Sequence, residues 1–237
     1  KSQDIGLKCN TVNDLNNVRN LARRLVDSTH GRHHLTHHFP PTRGDIRARK
    51  VALAVAGSTG RVMQMAGIER LPIESHVLQA FVTESLKPFI DTVVTFGMGH
   101  FYMSQSDKGG LIYGGDLDGY NSYAQRGNLP IVEEVMAEML ALFPSLGPAR
   151  VLRSWGGVCD MTMDGSPIIT TGPLPGMYLN CGWCYGGFKA TPASGWCFAH
   201  TIAKDEPHEL NAAFTLERFH HGALIDDKGQ GATPRLH

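Results

Sequence analysis

The segment at residues 181–195, CGWCYGGFKATPASG, limits the fold of this 237-residue chain more than any other part of the sequence. It follows an apolar run at 177–180 that is typical of a strand, and it precedes a run at 196–203 that predicts a helix. Glycines in such a turn let a ligand approach the backbone, and a helix N-terminus presents free N–H groups and the positive end of the helix dipole. Lys189 adds a full positive charge. The segment therefore predicts a site for an anionic group.

The composition is that of a globular protein with an ordinary core. Hydrophobic residues make up 42% of the chain and charged residues 19%, and 22 basic residues balance 22 acidic ones. This balance argues against a nucleic-acid partner or a membrane surface, and no apolar run approaches the roughly 20 residues of a spanning helix. No signal peptide is visible, and the five cysteines have no disulfide-framework spacing. We therefore expect a cytoplasmic, reducing location.

The first 40 residues differ in character from the rest. Leu15, Val18, Leu21 and Leu25 recur at helical spacing, which predicts an amphipathic helix at 11–27. A histidine-rich stretch follows, consisting of His30, His33, His34, His37 and His38. Gly31 and Pro40 oppose a long helix that would align these rings, and no carboxylate completes a ligand set. We predict a solvated segment and no metal site.

The remainder alternates between two kinds of pattern. A strand at 50–56, a small-residue turn and a helix at 61–67 form a unit that can face a phosphate or an adenosine. Short apolar runs at 77–82, 92–96, 101–104 and 111–114 predict an antiparallel sheet, and 130–143 predicts a helix. A strand at 151–163 leads to the opening segment, and 201–237 turns polar and loop-like. We predict an α+β (mixed α/β) fold in which the antiparallel block interrupts a nucleotide-binding layer.

Three groups of side chains invite a chemical interpretation. Cys181 and Cys184 have the CxxC spacing of thiol-redox and zinc sites, but nothing else at a recognised spacing completes the roughly four ligands of a zinc site. We favour two small residues in a tight turn, with a thiol oxidoreductase as the alternative. The aspartates near glycines are expected to serve turns; these are Asp116, Asp118, Asp160 and Asp164. Lys189 either faces an anionic partner or packs its stem on a neighbouring aromatic ring.

Several motifs in order resemble a known family. They are SYAQRG at 122–127, VLRSWGG at 151–157, TMDGSPI at 162–168, LNCGW at 179–183 and GGFKATP at 186–192. These runs resemble the β subunits of heterotetrameric sarcosine oxidases, within the glycine/D-amino-acid oxidase family of flavoproteins. The resemblance extends from about residue 42 to 227. It implies a partial FAD-binding layer at 41–72 and 150–204, a substrate domain at 73–149 and a tail at 205–237 that contacts another subunit.

The resemblance implies a specific reaction. FAD would oxidise sarcosine or a related N-methyl or secondary amino acid, taking a hydride equivalent from the substrate, and O2 would become H2O2. The imine would hydrolyse, or its carbon would pass to tetrahydrofolate. FMN at a subunit interface would carry electrons, and the partners would be α, γ and δ subunits.

The resemblance also assigns residues to roles. Lys189 would be the catalytic residue that pairs with the substrate carboxylate, and Tyr185, His100 and Tyr102 would line the substrate face. The residues that would hold the cofactor are Ala56, Gly57, Ser58, Gly186, Gly187, Phe188, Lys189 and Thr191. Cys184 replaces a glycine of the family, so the CxxC is incidental in this interpretation.

Two departures leave an alternative open. No Gly-x-Gly-x-x-Gly loop, the usual grip on a dinucleotide pyrophosphate, occurs in the sequence, and residues 1–40 do not resemble the family. The alternative is a structural subunit that keeps the fold but binds FAD poorly or not at all.

Overall fold

A computed structural model describes residues 35–38, 45–96 and 101–225, and it confirms a mixed α/β architecture. The strands are β1 (Leu35–His38), β2 (Asp45–Ala48), β3 (Val51–Leu53), β4 (Ile73–Ser85), β5 (Val94–Phe96), β6 (Phe101–Gln105), β7 (Gly110–Leu117), β8 (Val151–Thr162), β9 (Ile168–Thr171) and β10 (Met177–Cys181). The helices are α1 (Thr59–Met65), α2 (Leu129–Leu142), α3 (Gly187–Lys204) and α4 (Glu217–His220). No helix in the described ranges is both long and apolar enough to cross a membrane.

The antiparallel block predicted from the short apolar runs is confirmed. Its five strands lie in the order β5-β6-β7-β4-β8, and every neighbouring pair is antiparallel. Helix α2 covers one face, where Phe81, Tyr113 and Val135 share a buried cluster. The helix begins where the side chain of Asn128 accepts a hydrogen bond from the Ile131 N–H at 3.0 Å, a standard N-terminal cap.

A smaller sheet has the order β3-β10-β9, in which β10 is parallel to β3 and antiparallel to β9. Met177, Tyr178 and Leu179 of β10 are all buried, because this central strand is covered on both faces. The end of β10 is therefore fixed in position, and it delivers the chain directly into the glycine-rich loop.

Strand β8 connects the two regions. It pairs with β4 from Ile73↔Thr162 to Thr83↔Val151, so it forms an edge of the five-stranded sheet. Its first five residues are exposed, and its last three, beginning at Asp160, are buried. The division into a cofactor layer and a substrate domain remains a prediction.

Helix α3 begins nine residues earlier than the sequence suggested, at Gly187 instead of residue 196. Gly186, Gly187 and Pro192 concealed this start, because both residue types normally disfavour a helix interior. The Thr191 hydroxyl donates to the Gly187 carbonyl at 3.0 Å, a side-chain hydrogen bond within this first stretch. Lys189 consequently lies in the first turn of a helix.

Residues 205–225 form more hydrogen bonds with the rest of the fold than the polar loop predicted for 201–237 implies, and residues 226–237 lie outside the described part of the chain. Asn211 is buried and its amide donates to the Ile169 carbonyl at 2.7 Å, while the Ile169 N–H donates to the Phe214 carbonyl at 2.9 Å. Residues 205–225 thus pack along β9 and the β8–β9 turn. A contact of the tail with another subunit remains a prediction.

Gly57, in the turn after β3, packs directly against β8, and this close packing can be tested by substitution. A Cβ at Gly57 would lie 2.3 Å from the Val158 carbonyl oxygen, which is backbone and cannot swing away. We expect Gly57→Ala to lower the free energy of unfolding by about 1–3 kcal/mol, as overpacking does. Gly60→Ala is the matched control, because its Cβ would meet only the Tyr123 hydroxyl at 3.5 Å. Urea denaturation of both variants measures the difference, and equal stabilities would contradict the packing argument.

Candidate functional site

The loop between β10 and α3, residues 181–187, is fastened to the end of β8. The Gly182 N–H donates to the Asp160 carboxylate at 2.5 Å, and the Cys184 N–H donates to the Asp160 carbonyl at 3.0 Å. Gly182 has φ +69°, and a Cβ there would lie 2.4 Å from the Thr162 methyl carbon, so only glycine fits. Cys184 has φ +51°, an unfavourable value for a residue with a side chain. The surroundings of the loop must therefore hold it in shape.

Asp160 is the buried acceptor at the centre of this arrangement. Burial raises the pKa of its carboxyl, and hydrogen bonds from backbone N–H groups, including those of Gly182 and Trp183, oppose that shift. The expectation that Asp160 serves a turn is wrong, because the structure places it inside a strand, where its side chain accepts a hydrogen bond from the glycine loop.

The N-terminus of α3 is open to a ligand. Gly186 occupies the cap position without a side-chain hydrogen bond, and no acidic residue lies in the first turn. Lys189 is exposed in that turn, and Phe188 is 95% exposed. Free N–H groups, a positive dipole end and a lysine without an acidic neighbour in the turn suit a negatively charged group.

Tyr102 lies on the sheet face opposite α2. Its neighbours Phe101 and Met103 are buried against the helix, so strand alternation places Tyr102 on the other face. It pairs with Gly114, where a Cβ would lie 2.8 Å from the Tyr102 hydroxyl. Glycine at this position therefore leaves room for the phenol to lie across β7.

Tyr102 and Tyr185 share one environment around Cys159. Burial raises the pKa of Tyr102, and the nearby Cys159 thiol adds to the shift. Burial also raises the pKa of Tyr185, followed by the effects of Cys159, Cys184 and Asp116. Both phenols are therefore neutral hydrogen-bond donors at neutral pH, close to the glycine loop and to the open sheet face.

The turn at Ala56–Ser58 reaches the same stretch of β8 from another side. Gly57 packs on Val158, and its carbonyl accepts a hydrogen bond from the Ser75 hydroxyl at 2.7 Å. Ala56 and Ser58 are exposed. The predicted cofactor turn and the glycine loop thus flank neighbouring residues of one strand.

Some predicted residues lie outside the described residues. They are His100 and, from the histidine-rich stretch, His30, His33 and His34; His37 and His38 fall in β1, where only the backbone is described. Among the described side chains, no group of three or more histidine, cysteine or acidic residues is placed to hold a metal ion.

The CxxC residues do not have the properties of a redox pair. Cys181 is buried, both cysteines are free thiols, and burial raises the pKa of each, whereas redox-active cysteines have a lowered pKa. We expect both to react with iodoacetamide more slowly than free cysteine at neutral pH, as measured by peptide mass spectrometry. Faster alkylation at Cys184 than in free cysteine would restore the thiol-oxidoreductase alternative.

A match to a protein-family model and similarities to curated proteins agree with each other. A family model described as FAD dependent oxidoreductase matches residues 9–201. That match begins inside the first 40 residues, which the sequence motifs had left unmatched. The sarcosine oxidase subunit beta of Rhizobium meliloti is 66% identical over 196 residues, covering 83% of this chain and 47% of the relative. The subunit of the same name from an Arthrobacter species is 52% identical, covering 81% of this chain and 47% of the relative.

A solved structure shares the fold. The L-proline dehydrogenase from P. horikoshii superposes with a TM-score of 0.67 and 30% identity, covering 77% of this chain and 50% of that one. The chain spans about half the length of the curated relatives it matches.

Proposed function

This chain belongs to the family of FAD-dependent oxidoreductases, and on that premise we propose that it takes part in oxidising sarcosine or a related N-methyl or secondary amino acid. The similarity to two sarcosine oxidase β subunits supports this substrate class. When bound, FAD supplies the two-electron oxidant, which accepts a hydride equivalent from the substrate and returns the electrons to O2 as H2O2.

The observation that carries the proposal is the start of α3. A flavin ring system gains negative charge when it is reduced, and this helix offers uncapped N–H groups with no acidic residue in the first turn. Gly186, Gly187, Phe188 and Thr191, together with the turn at Ala56–Ser58, are the residues proposed to hold the cofactor. The donors and the local charge fit an anionic ring.

The substrate would lie between this helix and the open sheet face. Lys189 would bind the carboxylate, because it is exposed beside the helix N-terminus and both carry positive potential. Tyr102 and Tyr185 would line the pocket as neutral phenols that donate hydrogen bonds. These residues bind and orient an amino acid, which is what an oxidation driven by the cofactor requires of the protein.

The assembly is also part of the proposal. Relatives described as β subunits support association with other sarcosine oxidase subunits, of α, γ and δ type. FMN at a subunit interface and tetrahydrofolate as the acceptor of the one-carbon unit belong to the same proposal. The alternative is a structural subunit that keeps the fold and has little or no affinity for FAD.

Anaerobic reduction tests the proposed reaction. Sarcosine added to the purified, FAD-loaded protein should bleach the visible absorption of oxidised flavin and yield formaldehyde and glycine. Dimethylamine is the matched control, because it keeps the N-methyl group and lacks the carboxylate that Lys189 would bind. A flavin that remains oxidised with sarcosine would contradict the proposed substrate class.

A further inference from the structure

A buried ion pair fastens the C-terminal segment to the β8–β9 turn. Arg218 of α4 is 4% exposed and Asp164 is 2% exposed. The Arg218 Nε donates to Asp164 Oδ2 at 2.7 Å, and Nη2 donates to Oδ1 at 2.9 Å. This is the bidentate geometry in which arginine and carboxylate bind most strongly.

The groups around the pair are satisfied as well. Arg218 also donates to the carbonyls of Ser166 at 2.7 Å and Thr215 at 3.0 Å. The Asp164 carboxylate accepts from the N–H groups of Ser166 at 3.2 Å and Ile225 at 3.0 Å. Burial alone would favour the neutral acid, but the hydrogen bonds from Arg218 and the backbone hold the pKa of Asp164 below its ordinary value. The pair is therefore charged, and its geometry is closely defined.

The contacts continue from this pair to the glycine loop. The Ser166 carbonyl, which accepts from Arg218, also accepts from the Thr162 hydroxyl at 2.8 Å. That hydroxyl lies 3.6 Å from Cys184 Sγ, and the Thr162 methyl carbon fills the space that a Cβ at Gly182 would need. Arg218 and Thr162 thus meet on one carbonyl group, and Thr162 supports two residues of the loop.

We propose that Arg218 and Asp164 are positioning residues for the 181–187 loop, acting through Ser166 and Thr162. The importance of this loop for catalysis rests on the proposed function, whereas the mechanical link does not. Cys184 holds an unfavourable backbone conformation, and such a conformation persists only where its surroundings determine it fully. The C-terminal segment provides part of this support through Arg218, which lies more than thirty residues after the loop.

The reactivity of the Cys184 thiol reports on this link. N-ethylmaleimide labelling at mildly alkaline pH, resolved by peptide mass spectrometry, is compared in wild type and Arg218→Lys without added flavin. Lysine keeps the charge but cannot form the bidentate pair. Because the loop loses part of the support that holds Cys184 in its unfavourable conformation, we expect labelling of Cys184 to accelerate about tenfold. Cys197, buried in the middle of α3 and away from the loop, is the internal reference and should not change.

A second variant interrupts the link at its centre. Thr162→Val keeps the methyl group under Gly182 and removes the hydroxyl, so it should also accelerate labelling of Cys184 while leaving the ion pair intact. Asp205→Asn, which alters the hydrogen bonds with Lys50 and Tyr178 just after the C-terminal end of α3, is the matched control and should change nothing at Cys184.

Two results would overturn the positioning role. One is an unchanged Cys184 rate in both Arg218→Lys and Thr162→Val. The other is an equal acceleration at Cys184 and Cys197, which would indicate general loosening of the protein. FAD titration of the same samples separates the two proposals. A wild-type protein that binds no FAD contradicts the proposed function, and the labelling result still decides the positioning role.

Discussion

Arg218→Met is expected to lower the free energy of unfolding by about 3–5 kcal/mol, because it leaves the Asp164 carboxylate buried without its cationic partner. The double variant Asp164→Leu/Arg218→Met should recover part of this loss, because no charge stays buried without a partner. The recovery is incomplete because the Ser166 and Ile225 N–H groups lose their acceptor. Urea denaturation of the two variants and the wild type measures both values.

The exposed ion pair between Lys50 and Asp205 provides the control. Its atoms lie 2.9 Å apart, yet the side chains are largely solvated, so Lys50→Met should change stability far less than Arg218→Met. If the two single variants lower the free energy of unfolding equally, the buried ion pair does not stabilise the protein as strongly as its geometry indicates. If the double variant is no better than the single one, the cost does not come from an unpaired buried carboxylate.

Lys189→Ala is expected to raise KM for the amino-acid substrate strongly and to leave kcat less affected. A charged hydrogen bond is worth about 1.5–3 kcal/mol, which corresponds to a rise of about ten- to 150-fold if Lys189 binds the carboxylate in both the ground and the transition state. Steady-state kinetics at saturating O2 provide the measurement.

Lys204→Ala is the matched control, because Lys204 is also exposed on α3 but lies in its last turn, far from the glycine loop. Its KM should equal that of the wild type. Lys189→Arg should retain part of the affinity, since it keeps the charge. An unchanged KM in Lys189→Ala would remove this residue from substrate binding.

Local sequence patterns predicted the parts of the fold that depend on local chemistry. Short apolar runs between turn residues located four of the five strands of the antiparallel sheet, and period-3.6 spacing located α2 to within a residue. The glycine-rich loop and its following helix were predicted as a unit, because strand, glycine turn and helix have a clear composition.

Features that depend on distant partners were beyond local patterns. Asp164-Gly165 has the composition of a turn, and nothing nearby indicates that Asp164 pairs with Arg218, 54 residues away. The assignment of β8 to the five-stranded sheet depends on its pairing with β4, which no periodicity encodes. The early start of α3 was hidden by Gly187 and Pro192, because both residue types disfavour a helix interior.

In the candidate site, too, local patterns were predictable from sequence and distant contacts were not. Glycines and Lys189 could be singled out from sequence because each has a distinctive conformational or electrostatic role. Asp160 could not be singled out, because its importance arises from its burial and from the hydrogen bond that it accepts from the Gly182 N–H. The CxxC spacing of Cys181 and Cys184 invites a redox or zinc interpretation in the sequence, but burial raises the pKa of both thiols.

The visible absorption spectrum of the purified protein, after FAD is added and unbound FAD is removed, decides whether this chain carries a flavin. The open N-terminus of α3 and the adjoining turn at Ala56–Ser58 predict the bands of oxidised flavin at close to one equivalent. A folded, colourless protein would contradict a catalytic role for this chain and would favour the structural subunit instead.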